Sequence, residues 1–274
     1  MDPSEENYLE INRQSWNERT RINLNSTFYD QPGFLAGKSS LNDIELALLG
    51  DIAGRSILHL QCHFGQDSIS LSRLGANVTG VDLSDSAIEA ARELAARTQS
   101  DTQFICCDIY DLPSQLEGQF DLIFTSYGVI GWLPDLDKWA GLIDHYLKPG
   151  GQLVLVEFHP VVWMFDDQFS RIKYDYFNTG AIIESFTGTY AAKDSSCELT
   201  DVNWNHPLRD VIGSLLTIGL TLSSFEEYDY SPYDCFNSMT FISPGKYQII
   251  GLEGRLPLVY SLVARKRKVF FNHD

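Results

Sequence analysis

Between Ser56 and Ser84 the chain reads SILHLQCHFGQDSISLSRLGANVTGVDLS: a buried-type strand, a tight loop, a helix, a second strand, and an acid, Asp82, at its end. Two parallel strands cannot be joined by a hairpin. They need a crossover, which is right-handed and usually helical, and they bury both sheet faces. This stretch therefore commits the chain to an open Rossmann-like sheet, with ligands at the carboxyl ends of its strands.

The flanking pattern extends that sheet. Residues 5–22 read as a helix that includes Trp16, and Leu41, Ile44, Leu48 and Leu49 recur at helical spacing. After Asp82, Ser84 or Ser86 caps a helix through Ala87, Ile88, Ala91 and Leu94, with Ser86 and Glu89 in capping-box spacing. Residues 102–107 and 120–125 read as strands three and four, and a helix starts at Asp135. Lys148–Gly151 reads as a turn and 152–158 as strand five. Alternation then stops, and 160–203 is aromatic-rich without helical period. A helix from Pro207 and strands over 220–228 and 258–265 complete a count of seven strands.

The expected class is α/β, a doubly wound seven-stranded sheet, mostly parallel with an antiparallel C-terminal strand. The expected division is 1–54 as an N-terminal helical segment closing the pocket, 55–159 as the cofactor-binding core, 160–206 as a substrate lid, and 207–274 as the closing helix and strands.

Charge narrows the partners. A formal charge of −17 over 274 residues repels phosphate backbones and anionic lipid, so neither nucleic acid nor a membrane surface is expected. No apolar run approaches the ~20 residues of a membrane span, and MDPSEENYLEIN lacks a signal-peptide core. The five cysteines show no paired metal-ligand spacing and predict reduced thiols in a cytoplasmic protein, with no metal.

The candidate chemistry lies at strand ends. Asp82 suits the two hydroxyls of an adenosine ribose; a turn or cap aspartate is the plainer reading. Dinucleotide binding needs glycines that let backbone N–H groups reach a pyrophosphate, yet this loop carries Gln61, Cys62, His63 and Phe64 before Gly65. S-adenosylmethionine has no phosphate, and Gln61 or His63 offers polar partners to its methionine part. His59, within the strand, reads as a hydrogen-bonded core histidine. Asp108 can accept from an adenine amino group with Ile109 against the ring, or simply cap a turn. Ser126 and Tyr127 end strand four, and Tyr127 can present a ring face to a cation. His159, ending strand five, is the first candidate general base, against a role in ordering its loop. His206 is the second, against a role as a helix cap.

These residues resemble the class I S-adenosylmethionine-dependent methyltransferases over about 55–160, most specifically a poorly defined bacterial-type branch. The strings that carry the resemblance are SWNERT, LHLQCHFGQD, VTGVDLS, TSYGVIGWLPDL, LKPGG and EFHP. The resemblance implies that residues 61–65 (Gln61, Cys62, His63 and Gly65 among them) cradle the methionine part. It places Asp82 with Leu83 at the ribose, Asp108 and Ile109 at the adenine, Ser126 and Tyr127 beside the methyl group, and Trp16 and Tyr29 at the pocket's closure. The chain departs from the general family at His59, Gln61 and His63, where an acid and two glycines are usual. The expected function is in-line methyl transfer to a small-molecule acceptor. A non-catalytic S-adenosylmethionine-binding protein and an NAD-dependent oxidoreductase stand as alternatives, and oligomeric state is not legible.

Overall fold

The computed structural model describes residues 7–178 and 180–268. Seven strands form the central sheet: β1 (Ser56–Leu60), β2 (Asn77–Asp82), β3 (Gln103–Cys106), β4 (Phe120–Ser126), β5 (Leu147–Phe158), β8 (Thr221–Tyr228) and β11 (Val259–Arg265). Their order is β3-β2-β1-β4-β5-β11-β8. The first five run parallel, while β11 is antiparallel to both β5 and β8. The winding reverses between β1 and β4, the position at which such sheets leave a crevice for ligand.

Both faces of the sheet are buried, which is why β1 reads as a continuous apolar run. Successive side chains alternate between two cores. Ile57 packs with Leu122, Phe124, Val154 and Leu71, whereas Leu58 packs with Ile123, Trp139, Tyr146 and Leu155. The helices on these faces are α3 (Asp43–Leu49), α4 (Gln66–Arg73), α5 (Asp85–Thr98), α6 (Leu136–Tyr146) and α7 (Leu208–Thr217), preceded by α1 (Tyr8–Asn23) and α2 (Gln31–Leu35). Ser84, not Ser86, caps α5: its Oγ accepts from Ala87 N at 3.0 Å. Asp135 caps α6 by accepting from Lys138 N. The expected helix over 5–22 begins at Tyr8, and its residues 5 and 6 lie outside the described residues.

Two local readings change. The Lys148–Gly151 turn lies inside β5, where the pairing with β4 is irregular between Phe120 and Leu122. A Cβ on Gly151 would sit 2.9 Å from the Lys148 carbonyl, so only glycine fits that close chain approach. Between β8 and β11, a hairpin of β9 (Met239–Ser243) and β10 (Lys246–Ile249) occupies a stretch that carries no strand in the sequence reading.

The aromatic insertion is built around an antiparallel hairpin, β6 (Ile182–Thr187) with β7 (Glu198–Asn203). Asn12 of α1 adds to its edge: Asn12 Nδ2 donates to Val202 O at 2.8 Å, and Val202 N donates to Asn12 Oδ1 at 2.9 Å. The amino-terminal helix and the insertion thus form one roof over the strand ends. No helix among the described residues is long and apolar enough to cross a membrane.

Candidate functional site

Under that roof lies a cavity of about 1210 Å³, floored by the ends of β1, β2, β4 and β5. The loop after β1 forms one wall. Gln61 (φ 54°), His63 (φ 50°) and Gly65 (φ 81°) all take the left-handed conformation, costly for the first two. Each is pinned. Gln61 Nε2 donates to Val129 O at 2.9 Å, and His63 N donates to Asp82 Oδ2 at 2.7 Å. The His63 ring lies 3.2 Å from Tyr29 OH and 3.5 Å from Thr20 Oγ1, and packs against Trp16. Burial, together with the Arg19 charge, pushes its pKa down to about 3, so the ring is neutral. Gly65 is dictated by space as well as φ, since a Cβ there would meet the Phe104 ring at 2.6 Å. Cys62 is a buried thiol, raised well above its ordinary pKa by desolvation.

Asp82 ends β2 and accepts from the backbone N–H groups of His63 and Ser84. Burial outweighs these donors and holds its carboxyl at about 6. Leu83, Asp108 and Ile109 continue the same wall, and Asp108 also caps the following turn through Tyr110 N at 3.1 Å. Trp16, Tyr29, Ser126, Tyr127 and His206 line the cavity too. Gln61, Cys62, His63, Gly65, Asp82, Leu83, Asp108, Ile109, Ser126, Trp16 and Tyr29 are therefore brought to one space. His59 also reaches it, but its Nδ1 is bonded to Ser68 Oγ at 2.7 Å and burial lowers its pKa to about 3.

His159 is the correction. It ends β5 as expected, yet it does not line the cavity. Its ring packs against Tyr260, its Nδ1 accepts from Val161 N, and its Nε2 sits 2.9 Å from Glu227 Oε1, out of line for a hydrogen bond. The side chain leans across β11 towards β8, away from the crevice. His206 does face the cavity, with Nε2 donating to Leu133 O at 2.7 Å and Nδ1 left as the ring's acceptor.

Four side chains to which the sequence reading gave no site role organise the site. Glu157 is buried, and its carboxylate accepts from the N–H groups of Gly128, Val129, Ile130 and Phe158. This clamp holds Tyr127 at φ 48°, a strained value for a bulky residue. Arg19 is buried against the rings of Trp16, Trp132 and Phe186 and paired with Asp201 of β7, while its Nε has no partner among the described residues. Its signal in the sequence was its place three residues after Trp16, on the same helical face. Asp67, in the first turn of α4, lines the cavity and accepts from Ser126 Oγ at 3.5 Å. Glu45 lies fully buried behind Tyr127, whose OH donates to it at 3.1 Å.

Residues 57–151 match the family described as a methyltransferase domain. The chain is 29% identical over 135 residues to a ubiquinone biosynthesis O-methyltransferase of Xanthomonas oryzae pv. oryzae, an overlap of 48% of this chain and 56% of that relative. The chain thus spans little more than half the length of the curated relatives it matches. Among solved structures it resembles a SAM-dependent methyltransferase from Methanosarcina mazei, with TM-score 0.56, 18% identity, and 84% and 99% of the two chains covered. It also resembles the DhpI–SAH complex, with TM-score 0.54, 16% identity, and 96% and 98% covered. Residues 57–151 thus carry a methyltransferase domain, on a fold shared with S-adenosylmethionine-dependent methyltransferases of known structure.

Proposed function

We propose that this chain transfers the methyl group of S-adenosylmethionine to a small-molecule acceptor. The observation that carries the proposal is the convergence, at the sheet's reversal point, of a carboxylate held only by backbone N–H groups (Asp82) and a buried guanidinium nitrogen without a partner among the described residues (Arg19 Nε) in one cavity. The cofactor supplies an electrophilic methyl on a sulfonium. Arg19 suits its carboxylate, the Gln61–Gly65 loop its methionine chain, Asp82 with Leu83 its ribose, and Asp108 with Ile109 its adenine. Ser126 and Tyr127 border the methyl position, and Trp16 and Tyr29 close the roof.

The protein's part is then positional. Fixing acceptor, methyl and sulfur in line is worth roughly 7–11 kcal/mol of barrier. The Glu157 clamp serves this by fixing the Ser126–Gly128 turn. His206, with Nδ1 as a hydrogen-bond acceptor, orients the substrate from the lid side. Phe158, Trp163 and Phe236 meet edge to face at 5.0–5.8 Å on that side, which supports an acceptor with an apolar or aromatic body. The Xanthomonas relative is an O-methyltransferase, which supports oxygen as the accepting atom.

The test is release of S-adenosylhomocysteine from purified protein given S-adenosylmethionine and panels of phenols, amines and thiols. Acceptor-dependent release is expected. Tight cofactor binding with no release from any class would favour a binding protein that does not transfer methyl.

A further inference from the structure

Glu45 is a carboxylate with no evident structural reason to be one. It is fully buried on α3, and among the described residues no Lys, Arg or His forms an ion pair with it. The groups facing it are Asn42 at its own helix start, Tyr127 after β4, Asp67 on α4, and Tyr233 and Tyr230 from the segment after β8. None is a cation. A buried carboxylate without a counter-charge costs several kcal/mol when ionised, and a glutamine would fill the same space.

Its two oxygens are committed to the chamber. Oε2 accepts from Tyr127 OH at 3.1 Å and Oε1 from Asn42 Nδ2 at 3.0 Å, and the same Nδ2 donates to Tyr233 OH at 2.6 Å. Tyr127 and Tyr233 both line the cavity, with ring centroids 5.2 Å apart at 86°. Two phenolic hydroxyls of the chamber are thus tied to one buried carboxylate. Desolvation, reinforced by the Asp67 charge, raises that carboxyl to about 7. A group poised there changes protonation near neutral pH, as a general base must.

We propose that Glu45 is the proton sink of the reaction, acting through Tyr127, and that the acceptor is a phenolic hydroxyl. This rests on the methyl-transfer reading above. An oxygen acceptor has to lose its proton as the methyl arrives, whereas a neutral amine does not. In the step, the acceptor oxygen forms the O–CH3 bond while the S–CH3 bond breaks with its electron pair staying on sulfur. The acceptor's proton moves to Tyr127 Oη, and Tyr127 passes its own to Glu45. One sulfonium charge and one carboxylate charge vanish together, leaving a thioether, an ether and a neutral acid. A phenol matches the relay because its proton affinity equals that of the tyrosine that takes the proton, both with pKa near ~10. Tyr127 is the catalytic group; Glu45 is a positioning residue behind it.

The experiment compares wild type, Glu45→Gln and Tyr127→Phe, both variants close in shape to the residues replaced. The probes are unsubstituted catechol, a phenol still protonated at neutral pH, and N,N-dimethylaniline, which has no proton to lose. Wild type should methylate catechol with a rate rising through about pH 7, and each variant should lose about 100-fold or more in kcat. Calorimetric binding of S-adenosylhomocysteine should change by no more than about twofold. Independently of turnover, the infrared difference between wild type and Glu45→Gln should show one carboxyl titrating near pH 7, displaced upward in Tyr127→Phe. An unaltered rate and pH profile in Glu45→Gln, preference for dimethylaniline, or no such carboxyl overturns the proposal. Failure of wild type to bind S-adenosylhomocysteine sinks the methyl-transfer reading instead.

Discussion

Replacing Glu157 with glutamine isolates the clamp that shapes the reactive turn. In wild type, Oε1 accepts from Gly128 N and Phe158 N, and Oε2 from Val129 N at 2.7 Å and Ile130 N at 2.9 Å. A glutamine keeps one oxygen and turns an NH2 group onto two backbone donors. Each buried N–H left unpaired costs about 1–3 kcal/mol, so the loss is about 2–6 kcal/mol. Release of the Tyr127 strain returns about 1–3 kcal/mol, for a net of about 2 kcal/mol between the middles of the two ranges. Against a total stability of ~5–15 kcal/mol this is readily measured. Urea unfolding at neutral pH is the assay. With a slope of about 2 kcal/mol per molar, the midpoint should fall by about 1 M at constant slope. S-adenosylhomocysteine affinity should drop as well, because the Ser126–Gly128 turn is no longer fixed. An unchanged midpoint with unchanged affinity would refute the claim that the carboxylate holds this turn.

Gly65→Ala adds a Cβ 2.6 Å from Phe104 at φ 81°. It should cost about 2–4 kcal/mol, read as a lowered unfolding midpoint, and no loss would mean the loop is not packed this tightly. For Glu45, the carboxyl is raised in the fold from 4.5 to about 7, so the folded state holds the proton more strongly than the unfolded one. The sign follows: its contribution is neutral below the unfolded value and becomes a cost as pH rises through the folded one. Glu45→Gln should therefore gain on wild type by about 3 kcal/mol between pH 4 and 8, and a pH-independent difference would contradict the assignment. Asp201→Asn leaves Arg19 buried without its charge partner and should destabilise by about 3–5 kcal/mol, weakening attachment of the amino-terminal helix to β7. Unaltered stability would show that the pair does not anchor the roof.

The sheet was legible because its signals are local. A buried five-residue run, a glycine after the helix and an acid after the next strand define the βαβ unit at Ser56–Ser84 without tertiary information. The strand-end rule then located Asp82, Asp108, Ser126 and Tyr127 on one cavity. The same rule failed for His159. A strand end fixes a residue at the rim of the sheet, but the neighbour it leans towards depends on cross-strand packing, here Tyr260 and Glu227. Glu157, two residues earlier, was the one turned to the crevice, and its role rests on backbone N–H groups that no sequence pattern displays. Glu45 sat on an amphipathic helix where an acid reads as solvated; only the long-range contact with Tyr127 shows it buried. The β9–β10 hairpin was missed because Met239–Ser243 and Lys246–Ile249 are short and half-exposed, with weak alternation.

The central claim is that this cavity is built for S-adenosylmethionine and not for a dinucleotide. Calorimetric titration of the wild type and Asp82→Asn with S-adenosylhomocysteine and with NADH tests it most directly. The account predicts saturable binding of S-adenosylhomocysteine, weakened about 10-fold or more in Asp82→Asn through loss of a charge-assisted hydrogen-bond acceptor, and no comparable heat with NADH. Tighter binding of NADH, or a variant that binds S-adenosylhomocysteine as well as wild type does, would contradict it.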